Sequence, residues 1–370
     1  MKRVVIGLSG GVDSSVAAAM LIDQGYEVEG VYLECYNEPG CRTDQDKKDA
    51  LKVALKLGIR FQELDFRSEY REKVIEYFYS EYEAGRTPNP DIVCNREIKF
   101  GIFYDWSMAQ GYEYVATGHY CRIATYKDSP RRDLQGESFK LQRARDESKD
   151  QSYFLWQVPQ DHLSHILFPL GDMLKSEVRA KAKKLGLVTA EKPDSMGICF
   201  IGEVDVSKLL RDRLGEKPGN VVLYPARPGL AGRHKGLWFY TIGSRGGWEM
   251  NPNMQKTDME PLYVIGKDMK KNQLIVGGRE ETMTSQFTVQ LTNSNLHFTS
   301  KNQIIKYQAE KIYVRIRNLG ELTEVKSLKI VNCKCKLKIE TAKAVFGVAS
   351  GQSAVFYDKN GVLVTGSIIV

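Results

Sequence analysis

No apolar run in these 370 residues approaches the ~20 residues that a bilayer-spanning helix needs, so a helical membrane protein is excluded. Nor is there a Cys-x-x-Cys pair: the seven cysteines stand at 35, 41, 94, 121, 199, 333 and 335, an odd number in irregular spacing. That pattern argues against a disulfide scaffold and for reduced cytosolic thiols, some of them reactive. Cys35, Cys41 and Cys121 lack the spacing of metal ligands, and no metal site is expected. Internal repeats and long low-complexity segments are missing too. The chain starts without a signal-like leader, since residues 4–8 already form an apolar strand, and a cytoplasmic protein is expected. Neither sign of charge dominates. The 53 Lys and Arg against 46 Asp and Glu leave a net +7, compatible with nucleic-acid binding but not diagnostic of it. The length implies two or three domains rather than one core.

What is present begins at the strand Val4-Val5-Ile6-Gly7-Leu8. It runs into Ser9-Gly10-Gly11-Val12-Asp13-Ser14-Ser15 and then into an Ala-rich helix. This order puts bare backbone N–H groups at a helix N-terminus, where orphan donors and the helix dipole both favour an anion. The glycines let the backbone approach an oxygen-rich ligand, and the serines add donors without bulk. There is no Gly-Lys-Ser/Thr, hence no Walker lysine, and no G-x-G-x-x-G fingerprint. The string resembles the pyrophosphate loop of ATP pyrophosphatases, which split ATP into AMP and pyrophosphate.

Short apolar strands alternate with helical segments as far as about residue 200. Strands are expected at 27–33, 60–64 and 114–117, and helices at 46–57, 68–84, 98–110 and 172–185. This alternation indicates an α/β fold with a parallel sheet, whose ligands gather beyond the carboxyl ends of its strands. Residues 127–138 read as a surface loop. After a helix at 205–214, Pro and Gly multiply and a small β-rich module is expected over 204–283. From 284 to 370 alternating strands predict a β-barrel or sandwich. In Cys333-Lys334-Cys335-Lys336-Leu337-Lys338-Ile339 the lysines share one face, read as solvated, and the cysteines pack inside. A hairpin is expected from 353–357 and 362–369.

Two cysteine segments are unusual. In Arg86-Thr87-Pro88-Asn89-Pro90-Asp91-Ile92-Val93-Cys94-Asn95 two prolines stiffen a turn and a carboxylate precedes a thiol by three residues. Asp91 as general acid/base beside a nucleophilic Cys94 is one reading; a rigid loop with an inert buried thiol is the other. Pro193-Asp194-Ser195-Met196-Gly197-Ile198-Cys199-Phe200-Ile201-Gly202 likewise reads either as a reactive cysteine or as a buried strand.

Together with Ala116-Thr117-Gly118-His119-Tyr120 and Lys149-Asp150-Gln151-Ser152-Tyr153-Phe154-Leu155, these segments resemble the tRNA-specific 2-thiouridylase family through essentially the whole chain. The resemblance implies a pyrophosphatase-loop domain of the adenine nucleotide α hydrolase-like type at 1–203. A central β-rich domain at 204–283 and a tRNA-contacting β-barrel at 284–370 would follow. The implied reaction replaces the C2 oxygen of the wobble uridine with sulfur after adenylation by ATP, with Mg²⁺. Gly7, Leu8, Ser9, Gly10, Gly11, Val12, Asp13 and Ser14 would bind ATP, with Leu33 and Gly118 on the adenosine side. Cys94 matches the nucleophile, Cys199 the persulfide carrier, and Asn89, Pro90 and Asp91 the segment that meets the target base. His119, Lys149, Asp150, Gln151, Arg317, Asn318 and Gln352 match positions that touch tRNA. The implied partners are the tRNAs for Lys, Glu and Gln and a sulfur-relay protein or cysteine desulfurase that donates a persulfide.

Asp13 is a candidate either to lie near Mg²⁺ or to cap its helix. Lys175 and Arg179, four apart on one helix face, match a recurring pyrophosphatase element, the alternative being surface charge. His162, His165 and His297 have no supporting context. Two departures from the family pattern fall outside the catalytic core. Gly243-Ser244-Arg245-Gly246-Gly247-Trp248 replaces a basic Gly-Gln-Arg-Lys-Gly-Leu run, and Asn318 follows Arg317 where an aromatic is usual. Both bear on how tRNA docks.

Overall fold

The computed structural model describes residues 1–37, 43–126, 138–194, 199, 205–224, 230–252, 261–290, 310–331 and 336–370. Cys41, the loop expected from 127, the neighbours of Cys199 at 195–198 and 200–204, His297 and the Cys333-Lys334-Cys335 string lie outside the described residues. The chain forms two compact units: residues 1–76, 90–203 and 360–363 in the first, and 77–89, 204–359 and 364–370 in the second. Among the described residues no helix is long and apolar enough to cross a membrane.

In the first unit β1 (Arg3–Gly7) is the central strand of a parallel sheet, and Val4, Val5 and Ile6 are all wholly buried. It leads to α1 (Val12–Asp23), then β2 (Glu27–Glu34), α2 (Thr43–Leu57) and β3 (Arg60–Asp65). The expected helix at 68–84 is present but not uniform. α3 (Arg67–Tyr70) passes through a π-helical turn at Arg71–Ile75 into α4 (Glu76–Glu83), whose residues from Tyr77 on belong to the second unit. The next helix starts eight residues before its expected position. α5 (Pro90–Cys94) continues through a π-helical stretch, Asn95–Ile102, into α6 (Phe103–Ala109). Proline stands at the first helical position, where its missing N–H costs nothing, so Pro90 opens a helix rather than a turn.

β4 (Tyr114–Ala116) follows, then a hairpin of β5 (Cys121–Tyr126) and β6 (Ser138–Arg143) that the sequence reading missed, β7 (Ile166–Leu167), and α7 (Lys175–Lys184). The sheet order is β3-β2-β1-β4-β7, every pair parallel, as the strand–helix alternation implied. Val4, Ile6 and Leu8 pack with Val16, Ala17 and Leu21 of α1 and with Val178 and Ala182 of α7. The small alanines of α1 let it lie close on the sheet, apolar on most sides because it is buried on most sides. Glu177 closes the start of α7 by accepting from the Leu174 N–H at 2.7 Å.

The second unit holds α8 (Val206–Leu214), capped by Asp205, and two β assemblies. β8 (Gly219–Leu223), β9 (Leu230–His234), β10 (Glu249–Met250), β11 (Tyr263–Asp268) and β12 (Gln273–Gly277) form a sheet in the order β10-β9-β8-β12-β11. β13 (Met283–Gln290), β14 (Tyr313–Arg315), β15 (Thr323–Val331), β16 (Lys336–Phe346), β17 (Ser353–Tyr357) and β18 (Leu363–Ile369) close a barrel in the order β13-β16-β15-β14-β17-β18. Leu337 and Ile339 fill its core with Phe287, Leu328 and Phe356, while Lys338 points to solvent, in the alternation read from the sequence.

Candidate active site

The carboxyl end of β1 turns sharply into α1, and Gly10 makes the turn possible. Its φ is +71°, and a Cβ there would stand 2.0 Å from the Asp46 carbonyl oxygen. The hydroxyls hold the loop's shape: Ser14 Oγ accepts from Ser9 N at 3.1 Å, and Ser15 Oγ donates to Gly11 O at 2.7 Å. α1 starts from Gly11 without a side-chain cap, leaving its first amides as bare donors. Gly118, just past β4, packs against this start; a Cβ there would lie 2.6 Å from Ser14 N. Leu33 is buried near the end of β2.

Asp13 does not cap the helix. Its Oδ1 accepts from Tyr120 Oη at 2.8 Å, and Lys175 Nζ reaches both carboxylate oxygens at 2.7 Å. Lys175 is not surface charge either, since its side chain is only 12% exposed and its ammonium also meets Asp194 at 2.8 Å. Asp194 gathers Lys149 at 2.7 Å and Arg179 at 2.6 Å as well. Burial works against its charge, yet Lys149 and Lys175 hold its carboxyl down at about 2. A second ammonium, Lys192 Nζ, bonds the Gly10 carbonyl at 2.8 Å and Asp46 and Asp49 at 2.7 Å each, tying the loop to α2. Tyr120, Asp194 and Lys192 were given no role by the sequence reading.

The thiols meet beside the π-helical stretch. Cys94, fully buried at the end of α5, donates to Cys199 across 3.7 Å between sulfurs, and both are free thiols. Asp91 Oδ1 accepts the backbone N–H of Cys199 at 2.8 Å, and Tyr70 Oη donates to the Cys199 carbonyl at 2.6 Å. The hydrogen bond from Cys94 brings the Cys199 thiol down to about 7 despite burial, with the Lys99 charge assisting. Burial pushes Cys94 well above the ordinary thiol range, and it raises Asp91, which the Cys199 N–H and Lys99 partly offset. Near neutral pH Cys199 is therefore the thiol of the pair that ionises, while Cys94 keeps its proton.

β4 joins the two clusters. Gly118 touches the loop, while the buried His119 pairs its Nδ1 with Thr117 Oγ1 at 2.7 Å and sets Nε2 3.5 Å from Lys99 Nζ. Burial, aided by Lys99, pushes His119 well below the usual histidine range, so it stays neutral. Gln151 is tied to Tyr120 through its backbone N–H at 2.8 Å and its Oε1 at 3.0 Å. Asp150 is wholly buried, its carboxylate accepting from Ala144 N at 3.0 Å and Ser152 Oγ at 3.0 Å. Its side chain therefore holds the fold of this segment and presents no surface to a partner.

Asn89 belongs to the second unit and Pro90 and Asp91 to the first. In the second unit Arg317 donates to the Phe346 and Gly347 carbonyls at 3.0 and 2.7 Å. Asn318 Oδ1 and Gln352 Oε1 are buried without a hydrogen-bond partner among the described residues.

Three family models match in succession. They are described as the tRNA methyl transferase HUP domain over residues 2–203, the tRNA methyl transferase PRC-barrel domain over 207–278, and the Aminomethyltransferase beta-barrel domain over 288–369. A protein of Akkermansia muciniphila named tRNA-specific 2-thiouridylase MnmA is 47% identical over 75% of each chain. Proteins of the same name are 40% identical in Streptococcus sanguinis, over 99% of this chain and 95% of that one, and 39% identical in Pseudomonas aeruginosa, over 96% and 92%.

Proposed function

The chain belongs to the tRNA-specific 2-thiouridylase family, and on that premise we propose that it replaces the C2 oxygen of the wobble uridine of tRNA with sulfur in an ATP-dependent reaction. The observation that carries this reading is the Cys94–Cys199 pair, 3.7 Å apart in the same unit as the Ser9–Ser15 loop. The three-domain division at 204 and 284 is part of the proposal, with the barrel as a tRNA-contacting domain.

The loop amides at the start of α1 hold the pyrophosphate portion of ATP, with Lys175 beside them to offset anionic charge. The uracil O2 attacks the α-phosphorus, the bond to pyrophosphate breaks, and a poor leaving oxygen becomes part of an AMP ester. Cys199, the more readily ionised thiol of the pair, is the acceptor for incoming sulfur. Its thiolate attacks the outer sulfur of a donor persulfide, whose S–S bond breaks to release the donor thiolate. The outer sulfur of Cys199 then adds to C2, and AMP leaves with the C–O electron pair. Cys94, its proton taken by Asp91 one turn earlier on α5, attacks the Cys199 sulfur. The S–S bond breaks, its electron pair stays on the uridine sulfur, and a Cys94–Cys199 disulfide forms that an external thiol reductant reopens.

Among the described residues no three His, Cys, Asp or Glu side chains are grouped to hold a metal, and Asp13 is engaged by Lys175 and Tyr120. Mg²⁺ would arrive here with the nucleotide and would offset charge on its phosphates, beside Lys175.

The partners are tRNAs, those for Lys, Glu and Gln, and a protein that carries a persulfide. The test is mass spectrometry of wobble nucleosides from tRNA incubated with the protein, ATP, Mg²⁺ and a persulfide source. A mass gain from exchanging oxygen for sulfur at uridine is expected. Unmodified uridine with ATP still consumed would instead favour a pyrophosphatase-loop ligase using an amine.

A further inference from the structure

Lys99 lies five residues after Cys94, within the π-helical stretch Asn95–Ile102. On an α-helix five residues would turn it about 140° away from Cys94. The wider π turn, with its i to i+5 repeat, brings the two side chains onto one face. Lys99 hydrogen-bonds the Cys199 sulfur and lies 3.5 Å from His119 Nε2. The titratable groups around that sulfur are Cys94 on α5, Asp91 at the same helix start, Lys99, Tyr70 at the end of α3 and Cys35 after β2. Burial opposes the Lys99 charge, but Cys199, Cys94 and Asp91 together keep it protonated, while its neighbour His119 stays neutral. A cation in such a setting is stable only against an anion.

We propose that Lys99 is a positioning residue that holds the Cys199 sulfur as an anion, facing Cys94, for both loading and transfer of sulfur. The purpose assigned to that anion rests on the thiolation reading above; the charge pairing itself does not. In the loading step the Cys199 thiolate takes the outer sulfur of a donor persulfide, and the new persulfide is again an anion beside the same ammonium. The electron pair of the broken S–S bond leaves on the donor thiol.

The test is the pH profile of Cys199 alkylation by iodoacetamide, read by mass spectrometry of the Cys199 peptide in the full chain. Lys99→Met is expected to move the midpoint up by about one pH unit. Well below the midpoint the rate falls by about threefold, because a tenfold loss of thiolate is partly offset by a more nucleophilic sulfur. Lys99→Arg should restore the low midpoint. If Lys99→Met does not fold, Lys99→Gln carries the same expectation, since it removes the charge and keeps a donor. An unmoved midpoint in the neutral variant overturns the proposal. The wobble-nucleoside assay on the wild-type protein separates the two readings: its failure with a shifted alkylation profile refutes thiolation and leaves the Lys99 assignment standing.

Discussion

Gly118 faces Ser14 across a gap that admits no methyl group, since a Cβ on residue 118 would lie 2.6 Å from the Ser14 nitrogen and 2.9 Å from the Asp13 carbonyl carbon. The end of β4 and the start of α1 thus share one backbone surface beside the loop amides. Gly118→Ala should push α1 away from β4 and cost about 1–3 kcal/mol in stability. ATP affinity, measured by calorimetry, should fall with it. A variant that melts and binds like the wild type would show that this close approach has no consequence.

Lys175 is held between Asp13 and Asp194 at the loop. Lys175→Met should weaken ATP binding by about 10- to 100-fold, the value of one or two charge-assisted hydrogen bonds. Lys181→Met, which removes an ion pair with Asp23 further along α7, is the control and should leave binding unchanged. Equal behaviour of the two variants would contradict a role for Lys175 at the phosphates.

Asp194 links stability to pH. Its folded pKa of about 2 lies below the unfolded carboxylate value of about 3.9, so its contribution is full above about pH 4 and fades as pH falls toward 2. Asp194→Asn should therefore lower Tm at neutral pH, with the gap to the wild type narrowing across that acid window. Thermal melts over the range would expose the error if the gap stayed constant.

Cys94→Ser and Cys199→Ser should each reduce sulfur insertion by about a thousandfold or more, and the double variant should be no worse, because the thiols act as a unit. ATP binding should stay largely intact in all three. Appreciable thiolation by either single variant would refute the two-thiol mechanism.

Asp150→Ala removes a buried acceptor from Ala144 N and Ser152 Oγ and should cost about 1–3 kcal/mol. tRNA affinity measured well below the melting temperature should barely change. Lost tRNA binding without a lower Tm would instead make Asp150 a contact residue.

The parts that were legible in the sequence are those written by local chemistry. The order of strand, Gly-rich turn and Ala-rich helix is contained in residues 4–21, and the parallel sheet follows from alternation alone. Cys94 was read in a stiff turn because Pro90 was taken as a turn residue rather than the first residue of a helix. The 3.6-residue apolar period was picked up only from residue 98, and a π-helical stretch does not follow that period. The hairpin of β5 and β6 escaped because Arg122, Lys140 and Arg143 break the apolar pattern of its strands. Lys99, Lys192 and Asp194 carried no signal, since a lone charged residue reads as solvated until distant partners arrive: Lys192 meets Asp46, Lys99 meets Cys199, and Asp194 meets Lys149. Asp13 shows the same effect, its partner Lys175 being 162 residues distant.

The π-helical stretch after Cys94 makes the site's electrostatics a matter of register as much as of composition. Inserting one residue between positions 94 and 99 would keep every functional group yet set the ammonium six residues on from Cys94, about 240° round an α-helix. The protein would then possess the same thiols, carboxylate and ammonium, with the ammonium aimed elsewhere. Substitution scans, which never change the residue count, are blind to this determinant; single-residue deletions and insertions would reveal it.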